Sequence, residues 1–254
     1  MKCKLCLLDK PLLKESHIIP DWFYNSLYDP SHSFFEFSER CGKFIKRKKF
    51  TGEYESDILC KECDNKIFNE RYEDYAHAIF FNNNKLKKDL RPIFNGPFIV
   101  DGKQYYRIVN LDYARIKLFF LSMIWRASIS DREVFTNVKL GSKEEEALRK
   151  MLLLNDPGGE QIFPMAFYTF PSGIKGNQII VQPTTKQLEN HIVTTFVLPD
   201  LIILYFIPEE EHEFSDPFIN RSCRKDGTLI VEILDKEHFF IQDRNAYMAK
   251  IGAG

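Results

Sequence analysis

The sequence predicts an α+β fold in which a small cysteine-bearing module precedes a larger α+β domain. Two Cys-x-x-Cys pairs lie at residues 3–6 and 60–63, a helical apolar pattern covers residues 111–129, and strand-like runs dominate after Ile162. A polar stretch that begins at Asn82 and continues into a lysine-rich run indicates a domain boundary. We therefore expect one domain at residues 1–81 and a second at residues 82–254.

The overall charge gives the 254-residue chain no strong attraction for nucleic acid or an acidic membrane, because its formal net charge is -1. Any binding of phosphate must then depend on a local patch. The most apolar run, residues 195–208, is interrupted by Pro199 and Asp200 and falls short of the roughly 20 residues that span a bilayer. We expect no membrane segment, no secretory signal and a cytoplasmic location.

Four of the six cysteines form two close pairs, Cys3 with Cys6 and Cys60 with Cys63. In a cytosolic chain such pairs bind metal more often than they form disulfides. Two thiolates three positions apart can bind one tetrahedral zinc ion, and two such pairs complete its four ligands. We predict a structural Zn²⁺ site; the alternatives are four free cysteines or a redox-active pair.

Three features could carry chemistry between and after these pairs. A Ser-His-Ile-Ile-Pro motif at residues 16–20 precedes a short helix that Asp21 is expected to cap. Residues 34–52 indicate a β-hairpin or a long loop. Glu55 precedes the second cysteine pair, and Asp64 directly follows it at the start of a predicted helix.

The predicted hairpin carries a basic cluster. Its six cations are Arg40, Lys43, Lys46, Arg47, Lys48 and Lys49. Nucleic-acid phosphates would be attracted to this cluster, although phosphate contacts carry no sequence specificity. The alternative is a solvated hairpin whose lysines prevent an exposed edge from pairing. We favour nucleic acid, with DNA as the expected partner, because the cluster lies in the insertion that carries the candidate site.

This order of motifs resembles the HNH endonucleases of the ββα-metal type, in the subgroup whose Cys-x-x-Cys pairs are stapled by zinc. The resemblance rests on the two cysteine pairs, the motif at residues 16–20 and the Ile-Leu-Cys-x-x-Cys-Asp junction, and it covers about residues 1–80. It places the three family positions on His17, Glu55 and Asp64. It therefore implies an N-terminal zinc-stapled HNH-like module.

The resemblance implies a metal-dependent endonuclease that hydrolyses phosphodiester bonds in DNA, in a setting such as bacterial genome defence. His17 would deprotonate the attacking water, since an imidazole titrates near neutral pH. Asp64 and Glu55 would hold Mg²⁺ or Mn²⁺, which prefer carboxylate ligands, or Glu55 would instead orient His17. Glu70 and Glu73 are reserve ligands on the same helix.

Each of these residues also has a structural alternative. His17 could be a buried histidine, Asp64 a carboxylate stabilised by the helix dipole, and Glu55 a solvated surface residue. Ser16, Glu55 and Asp64 all depart from the usual HNH residues. The second hypothesis is therefore a catalytically inactive zinc-stapled module that binds nucleic acid or a protein partner.

Residues 82–254 contain no motif of recognisable chemistry. Apolar spacing predicts a buried helix over residues 111–129 and an amphipathic helix over residues 143–154. A hairpin is expected over residues 98–109 with its turn at Asp101 and Gly102. Strands are expected over residues 178–182, 191–198, 201–207 and 228–234. This region could bind a protein partner or a second copy of the chain.

Overall fold

The N-terminal part of the protein contains four short strands. The structure, a computed structural model, describes residues 1–40, 43–81, 83–172, 180–188, 191–207 and 223–235. The strands are β1 (Ser16–His17), β2 (Phe34–Arg40), β3 (Lys43–Lys49) and β4 (Tyr54–Glu55). β1 pairs antiparallel with β4, and β2 pairs antiparallel with β3. The hairpin predicted over residues 34–52 is thus confirmed as β2 and β3.

A continuous helical stretch follows β4 and starts at the second cysteine pair. Its first part, Cys63–Glu73, is a π-helix, and its second part is the α-helix α1 (Asp74–Phe80). Phe68, Tyr72 and Ala76 are buried at spacings of four residues. Such spacing places apolar side chains on one face, which packs against the core.

The C-terminal part is built on a seven-stranded sheet with the order β5-β6-β11-β7-β10-β9-β8. The strands are β5 (Ile93–Val100), β6 (Lys103–Val109), β7 (Met165–Thr169), β8 (Val181–Leu188), β9 (His191–Leu198), β10 (Leu201–Ile207) and β11 (Leu229–Ile233). Neighbouring strands are antiparallel, except β11 and β7, which are parallel. The predicted hairpin turn and three of the predicted strands, β9, β10 and β11, are confirmed. The strand predicted over residues 178–182 begins outside the described residues.

Two helices, α2 (Tyr113–Ser128) and α3 (Ser142–Leu154), lie between β6 and β7 in the chain. Asp112 caps α2 by accepting a hydrogen bond from the Arg115 amide at 3.0 Å. Asn155, in the left-handed conformation, ends α3. Every residue of α2 from Ile116 to its end is buried. The buried helix predicted over residues 111–129 is therefore confirmed.

One hydrophobic cluster joins the two regions that the sequence predicts as domains. Its buried residues run from the N-terminal cysteines through α1 and α2 to β11. Hydrogen bonds also cross the predicted boundary, from the Tyr72 hydroxyl to the Leu152 carbonyl at 2.8 Å and from Arg149 Nη1 to the Leu5 carbonyl at 2.6 Å. The mixed α+β class is confirmed, while the boundary at residue 82 and the HNH-like character of residues 1–81 stay predictions.

Across the part of the chain that the structure describes, no helix has the length and apolar character needed to cross a membrane.

Candidate metal centre and adjacent pocket

The four paired cysteines come together in one cluster. The sulfur atoms of Cys3, Cys6, Cys60 and Cys63 all lie within 4.8 Å of one another, and those of Cys6 and Cys60 are 4.0 Å apart. Zn–S bonds of about 2.3 Å in a tetrahedron place the sulfurs roughly 3.8 Å apart, so the cluster has the size to surround one such ion. The predicted meeting of the two pairs is therefore confirmed, and the four cysteines could hold a metal ion.

Backbone hydrogen bonds bring the two cysteine pairs to the same place despite the long insertion between them. The Leu7 amide donates to the Cys3 carbonyl at 2.9 Å, and Leu7 has a φ of 60°, which turns the chain back after the first pair. The Lys4 amide donates to the Ile58 carbonyl at 2.8 Å. The Cys60 amide donates to the Cys3 sulfur at 3.4 Å. The first pair is thus tied directly to the segment that carries the second.

The crowding of four thiols controls their ionisation. A hydrogen bond from Cys63 lowers the pKa of Cys3 to about 4, and the same interaction, together with burial, raises the pKa of Cys63. Burial also raises the pKa of Cys6. Four thiolates at this spacing repel one another, so a divalent cation is needed for all of them to ionise together. A shell of four sulfurs is closed and leaves no position for a substrate.

A pocket of about 200 Å³ adjoins the start of the helix at the second cysteine pair. It is formed by β1, the turn after β1, the π-helical segment and α2. Its lining residues are His17, Asp21, Trp22, Asp64, Asn69, Glu73 and Arg126. The pocket thus brings together two of the three predicted catalytic residues, His17 and Asp64, with the reserve ligand Glu73.

The π-helical form of Cys63–Glu73 explains why Asp64, Asn69 and Glu73 line the same pocket. In a regular α-helix of 3.6 residues per turn, Asp64 and Glu73 would lie on opposite sides. In a π-helix each amide bonds the carbonyl five residues earlier, and this wider turn brings positions five and nine residues apart onto one side. If this segment is assumed to be α-helical, the sequence does not predict that the three residues share one side.

His17 faces the pocket with its side chain 34% exposed. Its Nε2 atom is 3.4 Å from the Thr51 hydroxyl oxygen and 3.9 Å from the Oδ1 atom of Asp21. The pairing of β1 with β4 sets Tyr54 opposite His17, and the two rings meet edge to face with centroids 6.3 Å apart. This polar, accessible environment differs from that of the buried histidine considered as the structural alternative.

Asp64 is partly buried beside charged and polar groups. Burial raises the pKa of its carboxyl group, while Arg126, Ser16 and His17 act in the opposite direction. The Ser16 hydroxyl is buried close to this carboxyl group, yet within the described residues it makes no hydrogen bond of regular geometry. A cation bound at Asp64 would stabilise its ionised form, so the site chemistry is compatible with a metal ligand.

Glu55 lies outside the pocket. Its Oε2 atom accepts hydrogen bonds from the Ser130 hydroxyl at 2.9 Å and from the Asp131 amide at 3.0 Å. In the β1–β4 pair Glu55 is opposite Ser16 rather than His17, so its side chain belongs to the other face of this short ribbon. The structure therefore does not bring Glu55 together with His17 and Asp64.

The two reserve ligands differ in position. Glu73 lines the pocket, with its Oε1 atom 2.7 Å from Nη1 of Arg126, whereas Glu70 pairs with Lys66 at 3.7 Å on the surface. Among the described residues, the four cysteines are the one group of three or more Cys, His, Asp or Glu whose ligand atoms all lie within 4.8 Å. No three of the His, Asp and Glu side chains that line the pocket therefore have ligand atoms within this distance of one another.

The predicted basic cluster maps to the β2–β3 hairpin. The side-chain positions of Arg40, Lys43 and Lys46 lie outside the described part of the structure. Arg47 and Lys48 are exposed, while Lys49 pairs with Glu53 at 2.6 Å. Thr51, two residues after β3 ends, contacts the imidazole of the pocket. The basic strand therefore leads toward the pocket.

Four pocket residues were not predicted as functional: Asp21, Trp22, Asn69 and Arg126. Asp21 is predicted only as a helix cap, and this is wrong: Pro20 occupies the cap position, and Asp21 is the first residue of the 3₁₀-helix Asp21–Tyr24. Its place four residues after His17 was the available signal. Arg126 lies in the helix that the sequence predicts to be buried over residues 111–129, and no sequence motif assigns it a function. No local pattern could connect it with His17, which is 109 residues away in the chain.

No protein-family model, no curated protein and no solved structure matches this chain. Its functional assignment therefore depends on the residues and geometry of the cysteine cluster and the pocket.

Proposed function

We propose that this protein is a metal-dependent endonuclease of the HNH type that hydrolyses phosphodiester bonds in DNA. The observation that carries the proposal is the pocket in which His17 and Asp64 meet beside the four-cysteine cluster. The motif order assigned these two residues to the base and to the metal ligand. Their shared pocket supports that assignment, because nothing in the motif spacing alone requires them to be neighbours.

His17 is the general base of the proposed reaction. Its imidazole, in a side chain that is 34% exposed, can take a proton from a water molecule that attacks phosphorus. The carboxylate of Asp21, 3.9 Å from Nε2, would stabilise the imidazolium that forms. Asp21 thus takes the role that the motif order predicts for Glu55, whose carboxylate accepts hydrogen bonds from Ser130 and Asp131.

Asp64 would hold the catalytic cation, with Asn69 and Glu73 on the same side of the π-helix. A bound Mg²⁺ or Mn²⁺ supplies charge stabilisation to the scissile phosphate and the leaving oxygen. Because the pocket carboxylates do not form a tight group, water would complete the coordination shell, as is usual for Mg²⁺. The oxygen donors of Asp64, Asn69 and Glu73 fit a hard cation rather than zinc.

The four-cysteine cluster would hold a structural Zn²⁺ ion. Its last ligand, Cys63, is the residue before Asp64 and the first residue of the π-helical segment. A metal at this point would fix where the helix begins, and with it the position of the Asp64 carboxylate. The zinc would therefore act on catalysis through position and would take no part in the chemistry.

The β2–β3 hairpin is the proposed surface for the DNA backbone. Arg47 and Lys48 are exposed on β3, and the chain continues from β3 to Thr51 at the His17 imidazole. A phosphate backbone bound along this strand would be guided to the pocket. Such contacts would position the duplex without reading its sequence.

A second candidate function is a non-catalytic, zinc-stapled module that binds nucleic acid or a protein. One observation favours it: apart from the four cysteines, the described residues contain no group of three metal ligands within 4.8 Å. In that case the pocket would be the remnant of a catalytic site that no longer binds a metal. The endonuclease requires His17 for its rate of DNA cleavage, whereas the binding module has no reaction for His17 to accelerate.

The test is cleavage of supercoiled plasmid by the full-length protein in Mg²⁺ or Mn²⁺. His17→Ala should lower the rate at least 10²-fold, the usual contribution of a general base, while the metal content of the cysteine cluster stays unchanged. His32→Ala, which removes an exposed histidine from a nearby turn, is the matched control and should cleave normally. Equal cleavage by His17→Ala would refute the assignment. If the protein does not cleave the plasmid with any divalent metal, the result would favour the binding module.

A further inference from the structure

We propose that Arg126 is a positioning residue that holds His17 against the helix bearing Asp64, so that the region after residue 81 completes the active site. This inference rests on the proposed function. It goes beyond that function because neither the motif order nor the cysteine cluster gives residues outside 1–81 any role in catalysis. Its basis is the set of contacts that the Arg126 guanidinium makes on both of its sides.

On one side, α2 itself anchors the guanidinium. The Nε atom of Arg126 donates to the Ser122 carbonyl at 3.3 Å, and Nη2 donates to the Ser122 hydroxyl at 3.2 Å. That hydroxyl in turn donates to the Phe119 carbonyl at 2.7 Å. The guanidinium also lies over the Phe68 ring, 4.9 Å from its centroid. A planar group held in this way has little freedom to rotate.

On the other side, Nη1 of Arg126 connects two walls of the pocket. It donates a hydrogen bond to the His17 carbonyl and lies 2.7 Å from the Oε1 atom of Glu73. The first contact fixes the backbone of β1, which carries the proposed base. The second fixes the end of the π-helical segment that carries Asp64. Arg126 therefore sets the separation between the base and the proposed metal ligand.

These contacts favour positioning over direct binding of the substrate phosphate. The Arg126 residue is 1% exposed, and its three guanidinium nitrogens all have protein partners. A phosphate could reach it only if the bonds to Ser122 or His17 broke. Misplacement of a catalytic group by about 1 Å can lower a rate about 10²-fold. Loss of the Arg126 contacts should therefore lower kcat rather than weaken DNA binding.

Arg126→Lys is the primary test, since lysine keeps the charge but cannot hold Ser122, His17 and Glu73 at once. The matched control is Arg132→Lys. Arg132 Nε also donates to a backbone carbonyl of this ribbon, that of Tyr54 at 2.7 Å, but Arg132 does not line the pocket. We expect kcat for plasmid cleavage to fall 10- to 100-fold in Arg126→Lys, with KM for DNA changed less than threefold. Arg132→Lys should retain both values.

Ser122→Ala is the second variant, in case Arg126→Lys does not fold. It removes one anchor of the guanidinium at a residue that does not itself line the pocket. We expect a three- to tenfold lower kcat in a protein with unchanged metal content. Normal kcat in folded Arg126→Lys or Ser122→Ala would overturn the proposal. A loss confined to KM would also overturn it, because Arg126 would then bind the substrate.

Amide hydrogen exchange separates failure of this inference from failure of the proposed function. The Ile18 amide, next to His17, donates to the Glu53 carbonyl at 3.1 Å and reports on the β1 backbone. It should exchange at least tenfold faster in Arg126→Lys than in Arg132→Lys. This result would support the positioning role of Arg126 even if the wild-type protein cleaves no DNA. An unchanged exchange rate would overturn that role.

Discussion

The Nε2 atom of His17 lies 3.9 Å from the Oδ1 atom of Asp21, which is held in place from two other segments. The Tyr28 hydroxyl donates to Oδ1 of Asp21 at 3.1 Å, and the Gly52 amide donates to the same atom at 3.4 Å. Burial and the Asp21 charge raise the pKa of Tyr28 to about 12, so its hydroxyl keeps its proton at neutral pH. Asp21 is thus a fixed negative charge beside the proposed base.

Asp21→Asn should lower kcat for plasmid cleavage about 10- to 100-fold, because the imidazolium formed on His17 loses its stabilising charge. The asparagine keeps the size of the side chain and can still accept from Tyr28. Asp29→Asn, in the nearby turn that contains Ser31, is the control and should retain the wild-type rate. An unchanged rate in Asp21→Asn would remove Asp21 from the mechanism.

Glu55→Ala should affect stability rather than catalysis. Its carboxylate accepts two hydrogen bonds from residues 130 and 131, and an intramolecular hydrogen bond contributes about 0.5–1.5 kcal/mol net. We expect urea unfolding to show a loss of about 1–3 kcal/mol, with kcat within threefold of wild type well below the melting temperature. A rate loss above 10²-fold at unchanged stability would instead restore the catalytic role predicted from the motif order.

Local patterns were sufficient to predict much of the fold and the four-cysteine cluster. The cysteine pairs, the β2–β3 hairpin and helix α2 each depend on residues close together in the chain, where spacing and propensity carry the information. The pocket was only half predicted, for two physical reasons. First, the π-helical turns place Asn69 and Glu73 on the same side of the helix as Asp64. Second, Arg126 is brought to the pocket by tertiary packing, which no local sequence pattern encodes.

Cys60→Ser should lose the metal of the cysteine cluster. About one zinc per chain is expected in the wild-type protein and close to none in the variant, as measured by elemental analysis after dialysis against a chelator. Because binding of a structural metal contributes directly to folding, the melting temperature should fall as well. Cys223→Ser, which replaces another buried cysteine outside the cluster, should keep its metal. Equal metal content in the two variants would contradict a four-sulfur site.

Lys117 should make stability increase with pH above about pH 8. Burial lowers the pKa of Lys117 to about 8, although its ammonium donates to the Gly159 carbonyl at 2.6 Å and to the Tyr113 hydroxyl at 3.1 Å. Between pH 8 and the ordinary lysine pKa of 10.5, the unfolded chain binds a proton that the folded chain does not. The free energy of unfolding must therefore increase with pH in this window.

Comparison with Lys117→Met isolates this contribution, because other titrating groups affect both proteins alike. From pH 7.5 to pH 10.5, wild type should gain about 2–3 kcal/mol in urea unfolding relative to the variant, at about 1.4 kcal/mol per pKa unit. Burial raises the pKa of the neighbouring Cys223 thiol above its ordinary value of 9.0, so Cys223 lowers stability as the pH rises through that value. Cys223 is present in both proteins, so this effect cancels in the comparison. A difference between the two proteins that is constant with pH would show that Lys117 titrates normally.

Reversal of charge at Arg47 and Lys48 should weaken DNA binding without unfolding the protein, because both side chains are exposed on β3. If each contacts one phosphate, Arg47→Glu with Lys48→Glu should reduce the slope of log affinity against log salt by about 2. Lys87→Glu with Lys88→Glu reverses another adjacent pair of exposed cations and serves as the control. Fluorescence anisotropy with a short duplex measures the affinity and its dependence on salt.

Because the phosphate contacts do not read sequence, the loss of affinity should be equal for unrelated duplexes. An equal loss in both double variants would mean that overall charge, and not the hairpin, attracts the DNA.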